Sequence, residues 1–295
     1  MVDPLHVDLA ERLAEDGGVV MMIGGPDTGK TSFSRMLTGA ALGLGRTVAY
    51  IDSDLAITSV GPPTCVGLKW LHSSEDLDTF AVADDLRFVG AIAPDRFRLQ
   101  HVAGVASLVS SARSDADLVV VDTSGSISGV IGQTLKYHKV ELVDPDVVVA
   151  LQRGAEMEPM VGLLRRFLSA NVITVPAPRG VAPMSPGERM ELRAAKFLMA
   201  LEEPLQRWRV RPTVFAPSLP AGFDLSRLDR LIVGVHDQTG RCLGLGVLEF
   251  EDSALRVTTT SREGMTGLRI GSARLDPERY HTTTVNLREV MFGIE

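Results

Sequence analysis

The sequence predicts an α/β chain in which a doubly wound, mostly parallel sheet is followed by a small C-terminal antiparallel β domain. Three observations predict it. Short β-branched apolar runs alternate with longer helical patterns from Val19 to Val175, the mark of strands buried on both faces of a parallel sheet. A glycine-rich stretch joins the first apolar run to the first long helical pattern, where sheets of this class bind ligands. Beyond about Arg207 the texture changes to LIVGVHDQTGRCLGLGVLEFEDSALRVTTT, short runs broken by turns, with no helical period.

The elements follow in order. Leu5, Leu9 and Leu13 recur at helical spacing after Asp3, a candidate N-cap, and Gly17-Gly18 closes a lead-in helix over Pro4 to Glu15. Strands are expected at Val19–Ile23, Thr47–Ile51, Phe88–Ile92, Leu118–Val121, Val147–Leu151 and Val172–Val175. Between Asn171 and Leu201 lie a Pro/Gly-rich loop, VPAPRGVAPMSPGE, and a charged helix, RMELRAAKFLMALE. Loops of that length inside a compact domain usually carry function or are disordered. The expected organisation is a lead-in helix at 1–17, a main domain at 18–206 with a lid around 176–200, and a β domain at 207–295.

Bulk properties exclude several classes. A net charge of −7 argues against a protein that coats nucleic acid nonspecifically, because that affinity comes from basic residues neutralising phosphates. Two cysteines, Cys65 and Cys242, cannot build a disulfide framework, and neither has zinc-type spacing around it. No signal-peptide pattern opens the chain and no run of about 18 apolar residues occurs. The expectation is a cytoplasmic protein with no membrane span.

The stretch GGPDTGKTS carries the strongest chemical signal. Gly24, Gly25, Pro26, Asp27, Thr28, Gly29, Lys30, Thr31 and Ser32 satisfy the Walker A pattern between an apolar run and a helical one. Glycines there let backbone N–H groups converge on phosphate oxygens, and the helix N-terminus adds its positive dipole end. Lys30 then reaches the terminal phosphates of ATP, and the Thr31 hydroxyl is a ligand for Mg²⁺.

Two further strand ends are polar. Asp52 and Asp54 in YIDSDLAITSVGPPTCVGL close the second expected strand, which suits them to hold Mg²⁺ or to orient an attacking hydroxyl; capping the next segment is the plainer use. In LVVVDTSGSISG, Asp122 to Gly125 fit the Asp-x-x-Gly element of switch proteins, a loop gripping an acceptor, or an ordinary turn. No Asn-Lys-x-Asp guanine reader follows DVVVALQRGAE, which weakens the switch reading.

Taken in series, these segments resemble the polynucleotide 5′-hydroxyl kinases, the family that includes the RNA kinase component of the eukaryotic pre-mRNA cleavage machinery. The resemblance rests on GGPDTGKTS, DSDLAITSVGPPTCVGL, FVGAIAP, VVVDTSG, PDVVVALQR and MSPGERMELRAAKF, about residues 19 to 200, with LGLGVLEF similar to the C-terminal part of bacterial and archaeal members. It implies a P-loop NTPase fold and transfer of the γ-phosphoryl group of ATP to the 5′-hydroxyl of RNA, or less readily DNA. It further implies that Lys30 and Thr31 bind phosphate and Mg²⁺, that Asp52 orients or deprotonates the hydroxyl, and that Asp54 supports the metal. Thr123, Ser124 and Gly125 match the acceptor clasp, and Arg189 and Arg193 match the lid arginines. Ala56-Ile57 stand where the family commonly has Gly-Gln, and Ser126 where it has Trp or another large apolar residue, so a weakened or altered acceptor preference is expected.

Independently, Arg189 and Arg193 are i, i+4 on the expected helix and project from one face, as a phosphate-closing pair or as a solvated surface with Glu188 and Glu191. Residues 153 to 211 hold ten Lys/Arg, Arg179 among them, against six Asp/Glu, a local excess suited to an oligonucleotide's phosphates. Trp70, Phe97 and Trp208 are candidates for base stacking, although such residues more often serve as core or domain-interface positions. The six histidines show no ligand or triad spacing. A nucleotide switch acting on a protein partner and a small-metabolite kinase are the rival readings.

Overall fold

Periodicity sets the first element. In the computed structural model, which describes residues 3–127, 129–178 and 182–293, helix α1 (Pro4–Asp16) starts where the Asp3 carboxylate accepts from Leu5 N at 3.1 Å and stops at Gly17. Leu9 and Leu13 face the core and Leu5 stays exposed.

The chain packs into two compact units. The first holds residues 3–54, 66–85 and, among those described, 98–184. In it lie β1 (Gly18–Gly24), α2 (Lys30–Gly43), β2 (Val48–Asp52) and β3 (Cys65–Leu71). The chain leaves this unit through β4 (Asp85–Phe88) and returns as α3 (Arg98–Ala112), β5 (Leu118–Asp122), α4 (Gly129–Val143), β6 (Val147–Gln152), α5 (Glu158–Phe167) and β7 (Val172–Pro176). The sheet order β3-β2-β5-β1-β6-β7 is that of a doubly wound sheet, parallel except for β3, which runs antiparallel to β2. Continuous burial of Val19 to Ile23, of Leu118 to Val121 and of Val148 to Leu151 explains their unbroken apolar sequences.

Two details differ from the sequence reading. Strand β3 has no counterpart in it, because Cys65–Leu71 follows a turn-rich stretch and is masked by Gly67 and Lys69. The strand expected at Phe88–Ile92 instead ends at Phe88. Gly90 has φ +84°, and its carbonyl accepts from Ser272 N at 2.6 Å, so the chain turns there rather than continuing as a strand.

The second unit comprises residues 55–65, 86–97 and 185–293. Its longest segment begins with α6 (Pro186–Ala200), set by a capping box in which Ser185 and Glu188 exchange side-chain-to-backbone bonds. It continues as β8 (Gln206–Arg209), β9 (Phe215–Ala216), β10 (Leu231–His236), β11 (Cys242–Glu251), β12 (Ala254–Thr259), β13 (Gly267–Leu275), β14 (Thr282–Thr284) and α7 (Leu287–Phe292). The sheet order is β14-β13-β10-β11-β12-β8, antiparallel throughout, with β9 pairing parallel to β13 off that path. Its core gathers Leu231, Val233, Val235, Leu248, Val257 and Leu268. A Cβ on Gly90 would meet Gly271 Cα at 2.9 Å, so the FVGAIAP segment seats backbone to backbone on β13. No helix among the described residues is long and apolar enough to cross a membrane.

Candidate active site

The carboxyl ends of β2, β5 and β1 carry the polar residues singled out above. Between β1 and α2 the loop turns through Asp27 at φ 56° and Gly29 at φ 87°, the left-handed region that glycine occupies without strain. Gly29 thereby ends the loop as the N-cap of α2, and the N–H groups of Lys30, Thr31 and Ser32, which have no acceptor one turn earlier in the helix, are the donors that a helix start offers to an anion. Lys30 is 6% exposed, and its Nζ donates to Gly25 O at 2.6 Å. Thr28 Oγ1 donates to the same carbonyl at 2.9 Å. Arg153, just beyond β6, braces the loop from outside by donating to Asp27 O at 2.6 Å.

Asp52 and Asp122 are register partners at the ends of the adjacent strands β2 and β5. Both are buried. Asp52 Oδ1 accepts from Asp54 N at 2.8 Å, a local turn that folds the Asp-x-Asp segment back on itself. Asp122 Oδ2 accepts from Tyr50 Oη at 3.0 Å, whereas Asp122 Oδ1 is a buried oxygen with no hydrogen-bond partner. Burial pushes the Asp122 carboxyl up, opposed by the Thr31 hydroxyl, by Lys30 and by Tyr50. Burial likewise raises the Tyr50 phenol well above its ordinary value, with Asp122 adding to the shift, so it stays a donor.

These oxygens fit Mg²⁺. That ion keeps several waters and needs only one or two carboxylates beside a nucleotide's phosphates, and Asp122 with its unpartnered Oδ1, Thr31 and Asp54 supply a hard oxygen set. Among the described residues, no group of three or more His, Cys, Asp or Glu is placed to hold a metal ion by itself.

The Thr123-Ser124-Gly125 segment lies against the phosphate loop. A Cβ on Gly125 would sit 2.7 Å from Pro26 Cα and N, so only glycine permits this approach. The Thr123 hydroxyl is turned inward, donating to Met22 O at 2.7 Å.

Sequence reasoning missed four residues here. Lys136 and Lys139 on α4 are both fully buried, as is His101 on α3, and Tyr50 stands behind Asp122. Lys136 Nζ donates to Thr123 Oγ1 and to Ser124 O, each at 2.6 Å. Lys139 Nζ donates to Ser53 Oγ at 2.9 Å and lies 3.1 Å from His101 Nε2, which in turn is 2.8 Å from Ser53 O. A signal was present in the sequence: Gly132, Leu135, Lys136, Lys139, Val140 and Val143 form one buried helical stripe, and the two lysines stand within it.

A family model described as the P-loop of mRNA cleavage and polyadenylation factor CLP1 matches residues 24–202. The chain belongs to this family. The CLP1 P-loop match opens on the first Walker A glycine and runs past the end of α6. Among curated relatives, the polyribonucleotide 5′-hydroxyl-kinase of Pyrococcus horikoshii is 28% identical, covering 87% of this chain and 85% of its own length. That of Methanocaldococcus jannaschii is 27% identical, covering 87% of each. The solved structure of the wild-type Clp1p–Pcf11p complex shares the fold, with a TM-score of 0.70 over 92% of this chain and 78% of that one at 16% identity.

The arginines named from the sequence and described in the structure are shared between the two units. Arg189 and Arg193, the lid pair of the CLP1 P-loop resemblance, lie half-buried on α6 in the second unit. Glu188 is engaged in the helix cap and Glu191 Oε1 lies 3.2 Å from His281 Nε2. In the basic stretch, Arg165 donates to Val172 O and Arg207 pairs with Glu249 and Glu251, while Arg179 lies outside the described residues. Of the aromatic candidates, Trp208 on β8 is 41% exposed, whereas Trp70 stacks on His72 and Phe97 is half-buried.

Proposed function

We propose that this protein is an ATP- and Mg²⁺-dependent polynucleotide 5′-hydroxyl kinase of the cytoplasm, with RNA as the favoured acceptor. The observation that carries the reading is the convergence of a phosphate loop, Lys30 and Thr31 with the neighbouring carboxylates Asp52 and Asp122 and with a glycine, Gly125, pressed against the loop itself. Names borne by the archaeal relatives support the same activity.

In this reading Gly24 to Ser32 wrap the β and γ phosphates, and Lys30 exchanges its bond to Gly25 O for phosphate oxygens. Mg²⁺, when bound, neutralises charge on the transferring group. Thr31, Asp54 and Asp122 are the residues that would hold it. Asp52 orients the acceptor's 5′-hydroxyl for in-line attack and accepts its proton. Thr123, Ser124 and Gly125 receive the terminal nucleotide. Arg189 and Arg193, one helical turn apart on α6, are the pair that the resemblance assigns to stabilising charge on the triphosphate. The work is positioning and electrostatics, with no covalent enzyme intermediate.

Incubation with γ-labelled ATP and a 5′-hydroxyl oligoribonucleotide tests it, with Lys30→Ala as control. Label on the oligonucleotide supports the kinase. Free phosphate without labelled acceptor, stimulated by a protein partner, would point to a switch ATPase; transfer to a small alcohol alone would point to a metabolite kinase.

A further inference from the structure

A lysine with no access to water is unusual, and α4 carries two. Taking an amine out of water is costly unless its N–H donors find acceptors, so a buried lysine calls for oxygen partners within reach. Helical spacing of three puts Lys136 and Lys139 on the same side of α4, and each reaches a different strand end. Lys136 grips the Thr123 hydroxyl and the Ser124 carbonyl after β5, and Lys139 grips Ser53, the residue between Asp52 and Asp54, after β2. Ser53 is itself tied to β5, its N and Oγ both donating to Asp122 O at 3.0 Å.

We propose that Lys136 and Lys139 are positioning residues for the transfer reaction: from behind the sheet end, Lys136 sets the acceptor clasp and Lys139 sets the Asp52–Asp54 segment. The inference rests on the kinase reading and names two residues which that reading does not use. Charge accounting points the same way. Asp54 and Asp122 act on Lys136 against the fall that burial imposes on its pKa, as expected of an amine set beside the acidic strand ends. Burial lowers the Lys139 ammonium to about 7, while Asp54, Asp52 and Asp122 oppose that fall. His101 contributes no charge: burial, and after it Lys139, drive its pKa well below the usual histidine value. A lysine doing no more than filling space would be replaced by an apolar side chain without kinetic consequence.

The test is a steady-state comparison of wild type, Lys136→Met and Lys139→Met on labelled ATP and a 5′-hydroxyl oligoribonucleotide, alongside direct titration of ATP binding. Lys136→Met is expected to raise KM for the oligonucleotide by about tenfold with KM for ATP within about twofold. Lys139→Met is expected to lower kcat by about tenfold or more with both KM values little changed. Lys→Gln variants, which keep a donor, are expected to recover part of each loss. Wild-type constants in both Met variants would overturn the proposal, and so would ATP affinity lost in parallel with activity in both the Met and Gln variants, since that marks a folding role. A wild-type protein that labels no oligonucleotide defeats the kinase reading itself and takes this inference with it.

Discussion

In the proposed kinase site, the side assigned to phosphate and the side assigned to the acceptor are built in opposite ways. On the phosphate side one contiguous stretch, Gly24 to Ser32, supplies glycine turns, helix N-terminus, lysine and hydroxyl, with Arg153 as an outside brace. The acceptor side is assembled from β2, β5, α3 and α4, with side chains meeting only in the folded chain. The difference teaches that a main-chain socket tolerates a simple local recipe, whereas a group of buried charges needs partners from several elements to offset its desolvation.

Four experiments break or sharpen that contrast. The largest effect is expected from Lys30→Ala, which removes the cation serving the phosphates and lowers label transfer by about a thousandfold, measured with γ-labelled ATP. Next, Asp52→Asn attacks only the acceptor side. It is expected to lower kcat by roughly 10²- to 10⁴-fold while a fluorescent ATP analogue binds as in wild type. Loss of nucleotide affinity in that variant would show that the two sides are one unit.

Gly125→Ala tests the seam between them. The added methyl meets the Pro26 backbone, so KM is expected to rise for ATP and oligonucleotide together, with a loss of about 1–3 kcal/mol in a urea titration. An unchanged KM for ATP would mean the clasp yields without disturbing the phosphate loop.

The smallest effect is one of pH on stability. Lys139 has a folded-state pKa of about 7, below its ordinary value of 10.5, and Lys136 is shifted the same way, chiefly by burial. Between those values the unfolded chain binds more protons than the folded one, so stability rises with pH there, by about 1.4 kcal/mol per unit for each fully shifted group. Denaturant midpoints measured between pH 7 and 9 are expected to climb in wild type and to climb less in Lys139→Met. Equal slopes would mean that Lys139 keeps an ordinary affinity for protons.

Much of this molecule was legible in advance. The lead-in helix, the main parallel strands and the change to antiparallel strands near Arg207 are written in periodicities that neighbouring residues enforce. Strand β3 was not legible, because its glycine and lysine hide a run that is buried by pairing with β2. Asp122 stood out in DTSG as a switch element, an acceptor loop or a turn, but its partnership with Tyr50 was not visible.

The sequence alone determined the lead-in helix, the main parallel strands and the Walker A stretch between β1 and α2, since these depend on backbone conformation and apolar spacing within short windows. Only the tertiary structure decided that Lys136, Lys139 and His101 are interior groups aimed at the acidic strand ends. Charged residues on a helix are read as solvated until something explains their burial. Here the explanation is hydroxyl and carbonyl oxygens that follow β5 for Lys136 and a hydroxyl that follows β2, 86 residues away, for Lys139, and no helical pattern encodes those meetings.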